Sequence, residues 1–64
     1  MKNDIRILVY YFDEDGIIEE DEYTGFLSIK EAMAFTKKLK NQYKGSLSSV
    51  EIIQNGKLYY RDSI

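Results

Sequence analysis

Residues 5–12 read Ile5-Arg6-Ile7-Leu8-Val9-Tyr10-Tyr11-Phe12. One alternation is Ile5, Ile7, Val9, Tyr11; the other is Arg6, Leu8, Tyr10, Phe12. A strand with one wet face is apolar on one alternation only, because successive side chains point to opposite faces. Here both are apolar apart from Arg6, which predicts a central strand with something covering each side. Asp13-Glu14-Asp15-Gly16 then reads as a turn, Gly16 supplying positive φ. A second strand is expected from Ile17-Ile18 through Glu19-Glu20-Asp21-Glu22 to Tyr23. Four consecutive acids suit an edge, where charge discourages pairing with stray chains. Gly25 marks a bulge or the end of that strand.

The period then changes. Ser28-Ile29-Lys30-Glu31 has the form of a capping box, the Ser28 hydroxyl accepting from the Glu31 N–H and Glu31 reaching back to Ser28. At about 100° per residue, Ile29, Ala32, Met33, Phe35, Thr36, Leu39 and Tyr43 share one arc, opposite Lys30, Lys37, Lys38, Asn41 and Lys44. This predicts a helix over 29–43 that Gly45 stops in a left-handed cap. Leu47 is expected under the helix end. A third strand is expected over 49–54 and a fourth over 57–62, joined by Asn55-Gly56, a strong two-residue hairpin signal. A type I′ turn there would pair Gln54 with Lys57, Ile53 with Leu58 and Ile52 with Tyr59.

The order is β-β-α-β-β: an α+β fold, a four-stranded, mostly antiparallel sheet with one helix on one face, in a single small domain over 1–64. The first strand belongs in the middle and the second at an edge. Ile5, Ile7, Val9 and Tyr11 should face the helix, since branched aliphatics pack well there. Leu8, Tyr10 and Phe12 are then left on a face for which the chain encodes no cover. Either Ile53, Leu58 and Tyr60 or Ile52 and Tyr59 would join them.

Length sharpens the point. Sixty-four residues bury only about 60% of their unfolded surface on folding, and domains this small usually add a disulfide, a metal or a partner subunit. Cys and His are both absent, which removes disulfides and the usual zinc and haem ligands. Self-association is the common device left. Exposed apolar patches beyond a few hundred Å² are rare on monomers, so a two-fold homodimer with sheets face to face is expected. No stretch approaches the roughly 18 apolar residues of a membrane span, and Met1-Lys2-Asn3-Asp4 lacks the pattern of a signal peptide. With no cysteine, a cytoplasmic chain is expected. In size and element order the chain resembles small phage and mobile-element proteins, a likeness of architecture alone.

Charge is distributed unevenly. Residues 1–22 carry eight acids against two bases, and residues 23–64 three acids against seven bases. Such polarity suggests internal pairing or head-to-tail contact, and it makes nucleic acid an unlikely ligand, since such binders carry a basic surplus. Lysines without arginine on the helix read as a solvated face more readily than a phosphate site. No histidine can activate Ser28, Ser46, Ser48, Ser49 or Ser63 as a nucleophile. Asp13-Glu14-Asp15-Gly16 has part of a calcium-loop pattern, but a strand follows where the loop needs a helix with a closing Glu. No cofactor, metal or catalytic residue is assigned, and the chain is not expected to be an enzyme. The expected function is a non-enzymatic protein-interaction module, a homodimer binding a basic partner surface through Leu8, Tyr10, Phe12, Glu19, Glu20, Asp21 and Glu22. The alternative is a small-ligand protein, for a nucleotide or signalling molecule, with its site at a subunit interface.

Overall fold

The computed structural model describes residues 4–63; Met1, Lys2 and Asn3, on which the signal-peptide reading partly rests, lie outside them. The elements are β1 (Ile5–Phe12), β2 (Ile18–Tyr23), α1 (Ile29–Gln42), β3 (Leu47–Gln54) and β4 (Lys57–Ser63). They form one sheet in the order β2-β1-β3-β4, with all three pairings antiparallel. β1 is central and β2 an edge, as its two apolar alternations and its acids respectively require. No helix among the described residues is long and apolar enough to cross a membrane.

Helix α1 lies on one face. Ile5, Ile7 and Val9 of β1 and Val50 and Ile52 of β3 are buried there against Ala32, Thr36 and Leu39, with Leu47 closing the end. Each aliphatic side chain so buried contributes about 1.5–3 kcal/mol. Thr36 is the polar member, and its hydroxyl donates to the Ala32 carbonyl at 2.9 Å, so no donor is stranded. The Ser28 hydroxyl accepts from the Glu31 N–H at 3.1 Å. The return bond lands one residue earlier than the capping box predicts: Glu31 Oε1 accepts from the Leu27 N–H at 3.4 Å. Ser28 is extended (φ −153°, ψ 161°), and in this approach the Leu27 N–H is the one offered to the carboxylate. At the other end Tyr43 is the C-cap and Gly45 takes φ +88°.

The turns follow their side chains. Asp13 Oδ1 accepts from the N–H groups of Asp15 and Ile17, both at 2.9 Å, while Gly16 takes φ +78°. The Asp13 carboxylate thus folds its own turn. Asn55 (φ 52°) and Gly56 (φ 81°) make the β3–β4 hairpin, as the I′ signature demands. Asn55 also exchanges two bonds with Asp4: its N–H donates to the Asp4 carbonyl (2.7 Å) and its Oδ1 accepts from the Asp4 N–H (2.9 Å).

Two irregularities shift the expected register. β3 starts at Leu47, two residues early, because a bulge at Tyr10/Tyr11 lets Tyr11 pair with Leu47 while Tyr10 pairs with Ser49. In β4 the pairings Gln54–Lys57 and Ile53–Leu58 hold, but Ile52 pairs with Tyr60. Tyr59 is the extra residue, which turns Tyr60 onto the helix face beside Ile52 and leaves Ile53 and Leu58 on the other.

Candidate functional site

The side of the sheet away from α1 is built by the alternation of four strands. Across its middle runs a row of paired residues, Glu22, Leu8, Glu51 and Arg61, from β2 through β1 and β3 to β4. The next row holds Glu20, Tyr10, Ser49 and Ser63, and beyond it Phe12 pairs with Ile18. On the other flank lie Arg6, Ile53 and Leu58. Leu8, Tyr10 and Ile53 are half-buried by their neighbours. Phe12, Ile18 and Leu58 are 42%, 54% and 57% exposed, although each is a residue type that proteins normally bury. No element of the described chain lies over this face; the helix packs on β1 and β3 from the opposite side.

Charged groups surround the apolar positions and are ordered across the sheet. Arg6 bridges Glu22 and Asp4, with nitrogen–oxygen distances of 3.0 Å to each. Arg61 reaches Glu51 at 3.5 Å. The Tyr10 phenol, set among Glu20, Glu51 and Arg61, is held above its usual pKa, first by desolvation and then by the two carboxylates. A depression lined by Tyr10, Ile18, Ser48, Ser49, Glu51 and Arg61 opens here.

The pleat divides the seven residues singled out in the sequence. Leu8, Tyr10, Phe12, Glu20 and Glu22 share the open face. Glu19 and Asp21 are on the other alternation, pairing with Tyr11 and Val9. Asp21 is half-buried and accepts a 2.9 Å hydrogen bond from the Tyr43 hydroxyl at the C-terminal end of α1. The Tyr43 oxygen also lies 3.2 Å from that of Tyr23, and its ring sits 4.8 Å from Tyr11. The Tyr23 hydrogen bond, desolvation and the Asp21 hydrogen bond, in that order, push the Tyr43 phenol well above its usual range. The acidic run is therefore not one stripe: Glu20 and Glu22 face outward from the sheet, whereas Asp21 ties the edge strand to the helix. Strand periodicity of two already separates 19 and 21 from 20 and 22. Ile53 and Leu58, from one of the two sets the sequence leaves open, complete the open face together with Ile18 and Arg61, which the sequence reading does not single out; the signal for Ile18 is its place across the turn from Phe12.

A second concavity, about 470 Å³, lies between the β2–α1 loop and the helix and is lined by Tyr23, Phe26, Phe35, Glu31 and Lys38 among others. Its aromatic wall is internally packed, with Phe35 5.1 Å from Tyr23 and 5.3 Å from Phe26. No group of three or more acidic side chains placed to hold a metal occurs among the described residues. Comparison with protein-family models, with curated proteins and with solved structures finds no match for the chain.

Proposed function

We propose that the protein is a non-enzymatic interaction module that binds another protein surface through the open face of its sheet. One observation carries the reading: Phe12, Ile18 and Leu58 stand exposed around Leu8, Tyr10 and Ile53, on a face that the chain's own helix does not cover. Large apolar side chains left exposed among ordered charges, on a face with no cover, are a usual signature of a contact surface. Tyr10 within this face and Phe12 at its end match the aromatic enrichment of interface hot spots. The acids Glu20 and Glu22 at one margin favour a partner that is basic opposite β2, and such complementarity sets on-rate and specificity more than raw affinity.

The test is a photo-activated benzophenone side chain placed at position 12, and separately at Lys37 on the exposed side of α1, with irradiation of the full chain in the cell. Adducts with a discrete protein at position 12 and not at position 37 support the reading. Equal labelling at both positions, or none at position 12, overturns it.

A further inference from the structure

We infer that the open face is completed by a second copy of this chain, packed with its strands aligned to the first about a two-fold axis running along the strand direction between β1 and β3. The inference rests on the reading of this face as a docking surface and names its occupant.

The argument is one of charge and order. In the sequence β2-β1-β3-β4 the open face is acidic at the β2 margin, through Glu20 and Glu22. It is basic at the β4 margin, through Arg61. Two sheets packed face to face can be related by a two-fold axis along the strands or by one across them. The axis across the strands lays β2 on the β2 of the second copy. That brings Glu20 and Glu22 against their own symmetry mates, a cluster of four carboxylates, and like-charge juxtaposition in an interface opposes association.

The axis along the strands lays β2 on the partner's β4 and β1 on its β3. Glu22 and Arg61 lie in the same row, so the rotation sets each against the other across the interface, twice. Within one chain Arg6 already holds Glu22 at 3.0 Å and Arg61 holds Glu51 at 3.5 Å. Docking then strings these into two runs of alternating sign, Arg6–Glu22 of one copy followed by Arg61–Glu51 of the other. In the same rotation Tyr10 meets Ser49, large against small, while Leu8 meets the aliphatic stem of Glu51 and Ile53 that of Arg6. Alignment of strands to within about 30° is also the common geometry for packed sheets.

The area bounds the strength. Four strands at about 4.8 Å spacing and some six residues long present a face of roughly 400 Å² per copy. That is about 800 Å² in total, below the 1,200–2,000 Å² of tight complexes. The dimer therefore exchanges with monomer and is concentration-dependent.

Sedimentation equilibrium of the full chain across a wide concentration range is the test, with Glu22→Arg and Arg61→Glu as single variants and as an equimolar mixture. Both substitutions are at exposed positions, and thermal melts confirm that each variant folds. The expected result is dimerisation of the unsubstituted chain, a loss of about ten-fold or more in each variant alone, and recovery in the mixture as a heterodimer. A chain that stays monomeric at millimolar concentration overturns the proposal, as does tighter dimerisation of Glu22→Arg alone, which is the signature of the crossed axis. A monomer that nevertheless gives position-12 adducts with a different protein removes only the second copy as occupant; a monomer giving none removes the docking reading as well.

Discussion

Asp21 and Glu20 are neighbours in one acidic run, yet the pleat gives them opposite fates under the same substitution. Asp21→Ala removes the acceptor of the Tyr43 hydroxyl, a 2.9 Å bond that joins an edge strand to the end of the helix. Hydrogen bonds to charged groups contribute about 1.5–3 kcal/mol. Asp21 is only half-buried, so water recovers part of this, and the net loss is about 1–2 kcal/mol. A domain of this size has a total stability of about 3–10 kcal/mol. Each kcal/mol moves the midpoint of a domain this small by about 4–8 °C, so Asp21→Ala should lower Tm by roughly 4–16 °C. Glu20→Ala touches an exposed carboxylate and should stay within about 0.5 kcal/mol. Thermal and urea melts followed by far-ultraviolet circular dichroism measure both, in dilute protein so that association does not contribute. Tyr43→Phe closes a double-mutant cycle, and Asp21→Ala combined with Tyr43→Phe should cost clearly less than the two separately. Equal losses for Asp21→Ala and Glu20→Ala, or strict additivity in the cycle, would refute the assignment of Asp21 to the helix side.

Two further outcomes follow from the same geometry. The Tyr43 phenol keeps its proton in the fold well above the ordinary value of 10.0, whereas the unfolded chain loses it near that value. Above about pH 10 the unfolded state therefore binds fewer protons and stability falls as pH rises, by at most about 1.4 kcal/mol per unit for this group and less given its partial exposure. Tyr10 and Tyr11 are raised as well, and Lys40, raised first by its hydrogen bond to Asp62, acts in the same direction. Urea midpoints should hold up to about pH 9 and drop as pH rises through and above about pH 10, with a shallower drop in Tyr43→Phe; an unchanged slope counts against the shift. Separately, Leu39 is 1% exposed at the centre of the helix–sheet contact, so Leu39→Ala should cost about 2–5 kcal/mol, most of the available stability, and leave the chain substantially unfolded by circular dichroism. A variant that melts like the unsubstituted protein would place the core elsewhere.

Most of the architecture was legible because local signals and the global fold agree. Ser28 and Gly45 bracket α1, Asn55-Gly56 fixes the start of the β3–β4 register, and the double alternation of 5–12 places β1 in the middle. The two departures have a common cause. At Tyr10/Tyr11 and again at Ile52/Ile53 an extra residue breaks the two-residue period, and nothing in a single strand's alternation signals a bulge. That is why Tyr60 rather than Tyr59 joins Ile52. The division of the candidate site has a different source: Glu19-Glu20-Asp21-Glu22 is one run of charge along the chain, and a run on a strand is two half-runs on two surfaces. The open face itself was visible in Leu8, Tyr10 and Phe12, whereas the charge order across it depended on knowing that β2 and β4 form opposite edges.

β1 has a consequence for biosynthesis. Of the four strands of this sheet it precedes the others in the chain, and its neighbour β3 comes only with residues 47–54, after β2 and α1. Until then the nascent segment has a helix with no finished floor to rest on and a greasy ribbon lacking one of its flanks. The antiparallel union of β1 with β3 is a long-range closure, paid in chain entropy before any packing rewards it. The Asn55-Gly56 hairpin needs only local contacts between β3 and β4, so β1 cannot gain its second flank before residues 47–54 are made.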